Sequence, residues 1–541
     1  MKYATLILLL PGVIAFEIPF SVSKFFKHRT TGSGAEHVAE VVVSGGPVLE
    51  EPPASPRVAI IGAGAGGSSA AFWISKAKER FGLDIDVDVY ERNDYIGGRS
   101  TVVYPYDNSS LPAVELGASI FVQANKNLWR ASDEFNLTRN DFQETTDNMG
   151  IWDGENVIFT YEGGWRGTAK LLWRYGIRSP KRTQDIVTSM IQQYIGLYTK
   201  ETPKWDSVAQ LDAEYGWTEL TGSSTMEYLL HKGVSRKYIS EMVEAATRVN
   251  YGQNADAIHA LEGLCSLATT GATGIDGGNF KIFEEFLKRS NAFVNLNTTV
   301  TSVLPAKSSQ NWTVMTASGK KDYTAVILAA PFHSTDITVP QAVSQKIPKQ
   351  PYVHLHVTLL STTSQYPNPE YFAMSPSAQP ARMMLTTFEN VRKNGKAPEF
   401  NSLSYHGSVR EGEWIVKIFS SEALSDDWLA DVFNEQVGWV YRKEWDAYPK
   451  LPPTTTFPPV KLDKGFYYVN SFEPFISTME TETVSSRNVV DLLLHEEFNA
   501  AICGSNEFNS DSTNNTSNRT NDAITTTRKQ DEDNYVYGWD C

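Results

Sequence analysis

The chain has 541 residues, of which 41% are hydrophobic and 12% aromatic, and its formal net charge at pH 7 is −15. This length exceeds a single ordinary hydrophobic core, so we expect two domains. The acidic balance argues against a nucleic-acid partner, which would need a basic face, and no run of lysine and arginine suits an anionic membrane surface.

The first 15 residues have the pattern of a secretory signal peptide. Lys2 precedes an apolar run that ends in a small-residue cleavage site at Ala15. No later stretch reaches the ~20 apolar residues that a spanning helix needs, so no transmembrane anchor is expected. We therefore expect a protein of the secretory pathway, located in a vacuole, a lysosome-like compartment or the extracellular space. Glycosylation is permitted by sequons at Asn108, Asn136, Asn297, Asn311, Asn514, Asn515 and Asn518.

Residues 16–55 are predicted to be a linker, because Gly, Pro and Ser are frequent there and hydrophobic periodicity is poor.

A glycine-rich motif follows at the start of the folded body. Residues 58–61 form a short apolar run typical of a buried parallel strand. Gly62 then allows a sharp turn, Gly64 allows the backbone to approach a pyrophosphate, and Gly67 allows a helix to pack closely on the sheet.

The second strand of this unit is predicted over residues 85–91, which alternate with period two. Glu91 ends the strand, 24 residues beyond Gly67, where an acid can bind ribose hydroxyls. A lone glycine motif would be weak evidence. Strand, glycines, small-residue helix, second strand and terminal acid in this order predict a dinucleotide-binding Rossmann-like unit.

A second group of glycines identifies the dinucleotide. Glu91 and Arg92 lead directly to Gly97, Gly98 and Arg99. This arrangement resembles flavin oxidases of the amine-oxidase type, in which the glycines approach extended FAD and the arginine lies near its phosphates or flavin. The turn at Gly117, Ala118 and Ser119 also resembles the flavin-contacting turn of that superfamily. These resemblances imply FAD as the cofactor.

The electron acceptor is inferred from the absence of a second strand–glycine–helix motif. The other glycine-rich stretch, residues 271–279, lacks a preceding apolar strand and has the wrong spacing. Molecular oxygen is therefore the expected acceptor, which predicts an oxidase that releases hydrogen peroxide. A protein partner that takes the electrons is the alternative.

Further blocks cover most of the chain and are more specific than the glycine motif. The chain resembles the prenylcysteine oxidase family at residues 248–253, 258–263, 277–279, 445–449, 465–473, 476–481 and 486–493. The resemblance implies oxidation of the prenylcysteine thioether, farnesyl or geranylgeranyl, by oxygen and water to a prenyl aldehyde, cysteine and hydrogen peroxide. In that reaction, hydride loss from carbon requires no dedicated catalytic base, so no catalytic residue is assigned.

Two other functions remain open at this stage. The first is an oxidase of another thioether or of an amine, in a biosynthetic pathway. The second is a secreted interaction protein without turnover, which the intact set of glycines and Glu91 disfavours.

The fold class expected is α/β, with a Rossmann-like FAD-binding domain of the flavin amine-oxidase type. This domain is predicted to be discontinuous, from residues 56–130, 250–340 and 440–504. In the second piece, residues 325–330 form another buried apolar strand, and Val300 resembles the position whose backbone meets adenine. In the third, Glu473 matches the place where related enzymes hold the ribityl hydroxyls. Thr478 and Met479 begin a helix whose N-terminus would face the flavin.

The intervening pieces, residues 131–249 and 341–439, are predicted to form a mixed α+β substrate domain. The first is expected to be helical, for example over 182–198, and the second to contain strands at 353–360 and 413–419. A sheet below the flavin with helices above it suits a lipophilic substrate. His354 and His356 alternate on one of these strands, but no third ligand with suitable spacing is visible, so no metal is predicted.

The end of the chain is predicted to contain a disordered polar tail over residues 505–533, dominated by Asn, Thr, Ser and Asp. Residues 534–541 are different, because an aromatic cluster there would be wasted in solvent and is expected to dock on the body. Three cysteines imply at least one free or intermolecular thiol in an oxidising compartment. A disulfide between Cys503 and Cys541 would hold the aromatic segment in place, and a free terminal thiol is the alternative.

Overall fold

The computed structural model describes residues 55–141, 148–202, 204–307, 311–504 and 535–541. The predicted signal peptide, nearly all of the linker and the polar tail lie outside these residues. None of the described helices is both long enough and apolar enough to cross a bilayer.

Twenty strands and fifteen α-helices are found in the described ranges. The strands are β1 (Arg57–Ile61), β2 (Asp86–Tyr90), β3 (Val102–Val103), β4 (Val114–Glu115), β5 (Arg139–Asp141), β6 (Met149–Trp152), β7 (Val157–Tyr161), β8 (Thr273–Ile275), β9 (Phe293–Asn295), β10 (Val300–Pro305), β11 (Trp312–Thr316), β12 (Gly319–Tyr323), β13 (Ala325–Leu328), β14 (Tyr352–Thr362), β15 (Met383–Thr386), β16 (Ser402–Arg410), β17 (Glu413–Ser420), β18 (Val437–Pro449), β19 (Lys461–Asp463) and β20 (Phe466–Tyr468).

The helices are α1 (Ala65–Phe81), α2 (Lys126–Glu134), α3 (Gly164–Tyr175), α4 (Arg178–Ile195), α5 (Val208–Glu214), α6 (Thr218–Thr221), α7 (Thr225–His231), α8 (Arg236–Tyr238), α9 (Glu244–Tyr251), α10 (Ala260–Cys265), α11 (Phe280–Ser290), α12 (Gln341–Ser344), α13 (Glu389–Arg392), α14 (Asp426–Val432) and α15 (Met479–Phe498). A π-helical turn, Ile239–Val243, joins α8 to α9.

The first sheet has six strands in the order β19-β20-β13-β1-β2-β9. The pairs around β1 are parallel, with Ala59 opposite Val326 on β13 and opposite Asp88 on β2. Strand β19 alone in this sheet is antiparallel to its neighbour. Strands from well-separated parts of the chain therefore meet in one Rossmann-like sheet, in which β1 has a parallel neighbour on each side. This confirms the predicted fold class.

The two faces of this sheet are covered differently. Alternate side chains such as Val58 and Ile60 pack with α1, α11 and α15 in one apolar cluster. The opposite face, which includes Ala59 and Val326, packs against the three-stranded antiparallel sheet β10-β11-β12. Because strand side chains alternate between faces, the central strands β1 and β13 are buried on both sides and contain continuous apolar runs.

Helix α15 is buried on nearly all sides along its first three turns. It begins at a capping box, in which the Thr478 hydroxyl accepts a hydrogen bond from the backbone N–H of Thr481 at 3.0 Å and the Thr481 hydroxyl accepts one from the N–H of Thr478 at 3.0 Å. These bonds satisfy backbone donors that have no partner inside the helix. The helix start predicted at Thr478 and Met479 is therefore found, with its N-terminus fixed in place.

The second sheet has seven strands in the order β18-β14-β17-β16-β15-β6-β7. All neighbouring pairs are antiparallel except β15 with β6. The strands predicted at 353–360 and 413–419 are its central members β14 and β17. The sequence analysis missed β6 and β7 in the piece expected to be helical, because short runs are weak periodicity signals.

One predicted domain boundary is wrong. The boundary placed at residue 440 falls inside β18, a 13-residue strand that pairs with β14 in the second sheet. Pairing with β14, which no local pattern reveals, assigns this strand to the second sheet. The other boundaries of the discontinuous arrangement stay predictions.

The C-terminal segment, residues 535–541, docks on helix α1 and its surroundings. The Trp539 ring lies 5.1 Å from that of Phe72 and 5.5 Å from that of Trp73, and its indole N–H donates to Asn127 at 3.2 Å. A disulfide joins Cys503 to Cys541, with 5.3 Å between the Cα atoms. This is the pairing expected from the sequence, and it leaves Cys265 as the free cysteine.

Candidate functional site

A cavity of about 1310 Å³ runs from the glycine-rich turn after β1 to the second sheet. Twelve of the fourteen predicted cofactor residues line it, namely Gly62, Gly64, Glu91, Arg92, Gly98, Arg99, Gly117, Ala118, Ser119, Val300, Thr478 and Met479. Gly67 and Glu473 do not. The tertiary structure thus brings together residues that are more than 400 positions apart in the sequence.

Gly64 and Gly67, in the first turn, differ in why a side chain would be unfavourable at each position. A Cβ added to Gly67 would lie 1.8 Å from the carbonyl oxygen of Gly62, so the helix could not pack so closely. A Cβ added to Gly64 would meet Gly97 O and Gly98 Cα at 3.8 Å each, an ordinary contact distance. The protein itself therefore tolerates a side chain at position 64. The space there faces the cavity, where a closely approaching ligand would require glycine.

Glu91 ties the end of β2 to this turn. Its carboxylate accepts hydrogen bonds from the backbone N–H of Ala63 at 2.9 Å and from the N–H and side-chain amide of Asn93 at 2.9 and 2.7 Å. The side chain is buried and also lines the cavity. Beside it, Arg92 donates to the carbonyl of Ser334 at 3.0 Å. The ribose acid of the motif is therefore held rigidly at the cavity edge.

The position of Glu473 corrects its predicted role. Its carboxylate accepts hydrogen bonds from Arg99 Nη2 at 2.5 Å, Tyr352 Oη at 2.5 Å and Asn470 Nδ2 at 3.2 Å. Arg99, Tyr352 and Asn470 line the cavity, whereas Glu473 lies behind them and is 1% exposed. It is a positioning residue for the cavity wall and does not face ribityl hydroxyls directly. Its neighbour Asn470 is also buried but lines the cavity.

The N-terminus of α15 opens onto the cavity. Ser477, Thr478 and Met479 all line it, and the Ser477 N–H donates to the buried Glu262 carboxylate at 3.2 Å. Burial raises the pKa of Glu262 to about 7. The partial positive charge of a helix N-terminus at this wall would stabilise negative charge on a ligand.

The end of the cavity that lies against β16 and β17 of the second sheet will be called the cavity floor. It contains a buried lysine that the sequence analysis missed. Lys417 on β17 donates to Ser119 Oγ at 2.8 Å and to the backbone carbonyl of Glu115 at 3.1 Å. The Glu115 carboxylate accepts from the N–H of Asn279 at 2.6 Å. Burial lowers the pKa of Lys417 and raises that of Glu115, and their mutual attraction opposes the shift of Lys417. The only sequence signal was a lysine among apolar residues of a predicted strand.

His406 on β16 lines the same region. Its side chain is exposed to the cavity, and desolvation by the surrounding cavity walls, followed by the nearby charge of Lys417, lowers the pKa of His406 below its ordinary value. The imidazole is therefore neutral at physiological pH. It adds a polar group without charge to a floor that also carries the apolar side chains of Ile415 and Phe419.

Polar atoms without partners mark this cavity as a site for a polar ligand. Eleven buried side-chain N or O atoms of the described residues lack a hydrogen bond, and six of them belong to residues that line the cavity. They are Ser100 Oγ, Glu115 Oε2, Thr269 Oγ1, Trp445 Nε1, Asn470 Oδ1 and Glu482 Oε1. Such atoms are costly unless a ligand or water satisfies them. The donors and acceptors therefore fit a large hydroxyl-, phosphate- and amide-bearing group such as a flavin dinucleotide.

The structure alters one expectation about metals. The third ligand that the sequence lacked is Glu444, which lies with His354 and His356 so that one ligand atom from each is within 4.8 Å of the others. This group is at the surface, outside the residues that line the cavity. It plays no part in the site described above, and the absence of a bound metal stays a prediction.

The glycine turn, the ribose acid and a cavity between a parallel sheet and an antiparallel sheet define a dinucleotide-binding oxidoreductase fold of the flavin amine-oxidase type. A solved structure of putrescine oxidase bound to putrescine has the same fold, with a TM-score of 0.54 and 14% identity over 81% of this chain and 99% of that chain. A family model described as an NAD(P)-binding Rossmann-like domain matches residues 60–135.

Sequence comparisons identify the family. A model described as prenylcysteine lyase matches residues 162–506. Farnesylcysteine lyase from Arabidopsis thaliana is 29% identical over 475 residues, which cover 83% of this chain and 90% of that relative. Prenylcysteine oxidase 1 from Homo sapiens is 26% identical over 480 residues, with the same two shares covered. The chain belongs to the prenylcysteine lyase family, which confirms the resemblance found in the sequence.

Proposed function

We propose that the protein is an FAD-dependent oxidase that cleaves the thioether of farnesyl- or geranylgeranylcysteine. One molecule each of thioether, oxygen and water would give one prenyl aldehyde, one cysteine and one hydrogen peroxide. The names of the two relatives, farnesylcysteine lyase and prenylcysteine oxidase, support this substrate class. The flavin-oxidase fold supports the reaction type.

The observation that carries the proposal is the continuity of the cavity. One end has the glycine turn and Glu91, as a dinucleotide requires, and the other end has a floor that includes Ile415 and Phe419. A thioether substrate with one end at that floor would share the cavity with the redox end of the cofactor. Proximity of this kind supplies a large part of catalysis when a cofactor carries the difficult step.

The residues that would hold FAD are those of the predicted set that line the cavity. Gly64 and Gly98 leave room for the pyrophosphate, Glu91 would meet the adenosine ribose, and Val300 would lie beside adenine. Asn470 and Glu482 have acceptor atoms without partners for ribityl hydroxyls. When bound, FAD would accept a hydride from the carbon next to sulfur and pass the electrons to oxygen.

The protein would contribute orientation and a controlled electrostatic environment. After hydride loss, the substrate carbon is a cation stabilised by sulfur and by the adjoining double bond. Water then adds, and the resulting hemithioacetal separates into aldehyde and thiol. The neutral His406 adds no positive charge beside that carbon. The apolar walls limit the entry of bulk water, and Thr478 at the start of α15 places a helix N-terminus at the opposite wall.

We also propose that the protein works in an oxidising compartment of the secretory pathway, as a glycoprotein. The Cys503–Cys541 disulfide supports this location, because disulfides persist mainly outside the cytosol. The sequon residues Asn108, Asn136 and Asn297 are exposed, which makes them accessible to glycosylation.

The experiment is a reductive half-reaction with the purified protein. We expect a yellow protein with absorbance near ~450 nm that bleaches when anaerobic farnesylcysteine or geranylgeranylcysteine is added and recovers with oxygen. Aldehyde, cysteine and peroxide should appear in equal amounts. A flavin-loaded protein that neither bleaches nor forms aldehyde with either thioether would contradict the proposed substrate. A panel of amines and other thioethers would then test the alternative oxidase.

A further inference from the structure

A smaller pocket of about 140 Å³ opens from the main cavity and will be called the side pocket. Six residues line both spaces, among them Tyr251, Thr478 and Met479, so the two are contiguous at the N-terminus of α15. Beyond this opening, the polar Asn125, Ser266 and Glu480 line part of the side pocket. Much of the remaining wall consists of Leu128, Met190, Ile191, Tyr194, Cys265 and Ala268. These residues come from α2, from α4 and from α10 with the residues just after it.

The chemical character of the side pocket differs from that of the main cavity. Polar groups in its wall are already satisfied within the protein. The Tyr194 hydroxyl accepts from Tyr198 at 2.9 Å, and the Glu480 carboxylate accepts from the N–H groups of Asn127 and Leu128 at 2.8 and 2.9 Å. Among the described residues that line the side pocket, one atom has no hydrogen-bond partner, Thr269 Oγ1 at the shared opening, compared with six around the main cavity. A space of this kind favours an apolar occupant over water.

We propose that the side pocket receives the distal end of the isoprenoid chain and thereby sets the chain length that the protein accepts. The inference rests on the proposed function for its ligand class. Its position is suitable, because the opening lies at Thr478 and Met479, where the helix N-terminus would face the flavin. A thioether carbon held further along the main cavity would direct the distal end of its hydrocarbon tail through this opening and its amino-acid end toward Lys417 at the cavity floor.

The volume limits how much of the chain the side pocket holds. A dry cavity of about 150 Å³ accommodates one benzene molecule, which has six carbons. At about 140 Å³, the side pocket suits one five-carbon isoprene unit. The earlier units of the chain would lie in the main cavity. The last unit would therefore be the one whose fit distinguishes a longer from a shorter prenyl chain.

The first test changes the size of the side pocket and measures kcat/KM on cysteine thioethers with 5, 10, 15 and 20 prenyl carbons, a series in steps of about one isoprene unit. Ala268→Leu fills the pocket and should lower activity on the longest accepted chain by roughly tenfold to a hundredfold. Met190→Ala enlarges it and should shift the preference toward longer chains. The five-carbon thioether is the internal control, because it does not reach the side pocket. FAD content of each variant checks that the cofactor site is intact.

The second test detects binding without turnover. Cys265 is the free thiol of the chain and lies in the side-pocket wall. We expect farnesylcysteine to slow its modification by methyl methanethiosulfonate, followed by mass spectrometry, whereas S-methylcysteine should not. The reaction is run at alkaline pH because burial raises the pKa of the Cys265 thiol.

The two tests separate the proposals. Protection of Cys265 without turnover of any thioether would retain the side pocket and contradict the proposed function. Turnover with unchanged chain-length ratios in both variants would retain the function and overturn the side pocket. If Cys265 does not react in the free protein, the chain-length ratios decide alone.

Discussion

Arg99 and Glu473, 374 positions apart in the chain, form an ion pair with 2.5 Å between Nη2 and Oε1. Burial opposes the charge of Arg99, but Glu473 and then Tyr352 outweigh it and raise the pKa of the guanidinium. The pair connects the second glycine group of the first Rossmann unit to the segment that leads into α15. It therefore fixes two walls of the cavity relative to each other.

Removing Glu473 should destabilise the protein. Glu473→Ala leaves the Arg99 charge without its partner; because the Arg99 side chain is 34% exposed to the cavity, the cost should be about 2 kcal/mol, below that of a fully buried pair. Tyr352→Phe removes only one hydrogen bond to the same carboxylate and should cost about half of that. Urea unfolding of both variants measures the difference. Equal stability of Glu473→Ala and wild type would contradict the structural role assigned to the pair.

The two glycines of the first turn should respond differently to substitution. Gly64→Val should fold and yet lose FAD, because position 64 has space on the protein side and faces the ligand side. Gly67→Ala should destabilise the fold itself by about 3 kcal/mol, because its Cβ would overlap the Gly62 carbonyl. Thermal unfolding and flavin content, measured together, separate the effects. Full flavin occupancy in folded Gly64→Val would show that no pyrophosphate lies against this turn.

Reduction of the disulfide should release the C-terminal segment. The closed loop spans a sequence separation of 38, which corresponds to about 4 kcal/mol in the chain-entropy model. Dithiothreitol should lower the Tm of the wild type and expose Trp539, whose emission would shift to the red. Cys541→Ser should start from the lower Tm and show no response to the reductant. Cys265→Ser, which keeps the disulfide, should respond like the wild type.

The buried carboxyls around the cavity should make stability depend on pH. Burial, followed by repulsion from Glu473, raises the pKa of Glu482 well above its ordinary value, although Arg99 opposes the shift. Burial also raises the pKa of Glu480 to about 7. The folded state thus holds protons that the unfolded chain releases. Their stabilisation is complete below the ordinary glutamate pKa near ~4.3 and is lost as the pH rises toward and through the folded values.

The free energy of unfolding of the apoprotein should therefore fall between pH 5 and pH 8, by at most roughly 1.4 kcal/mol per pH unit for each carboxyl. Glu482→Gln should reduce this slope and gain stability at the alkaline end, because a neutral amide replaces an acid whose Oε1 has no partner. Glu411→Gln, at an exposed turn between β16 and β17, is the matched control and should keep the wild-type slope. An identical slope in Glu482→Gln and wild type would refute the assigned protonation.

Much of the fold and part of the site could be predicted from local sequence. The strands β1 and β13 contain continuous apolar runs, β2 alternates with period two, and the glycine spacing after β1 has few structural solutions. The start of helix α15 was predictable, because Thr478 supplies an N-cap immediately before it. By contrast, β6 and β7 are short, and the membership of β18 in the second sheet depends on its partner β14. The pairing partner of a strand cannot be read from the residues of that strand alone.

The sequence by itself determined the dinucleotide motif and the family and predicted twelve residues that line the cavity, because these follow from residue types at fixed local spacing. Only the tertiary structure decided that Glu473 is held by Arg99 and Tyr352 behind the cavity wall. It alone brought Lys417 and His406 to the cavity floor, and it alone distinguished a main cavity with six unsatisfied polar atoms from a side pocket with one, Thr269 Oγ1 at the shared opening. Hydrogen bonds and burial between distant segments depend on how the sheets pack, and no spacing along the chain encodes that packing.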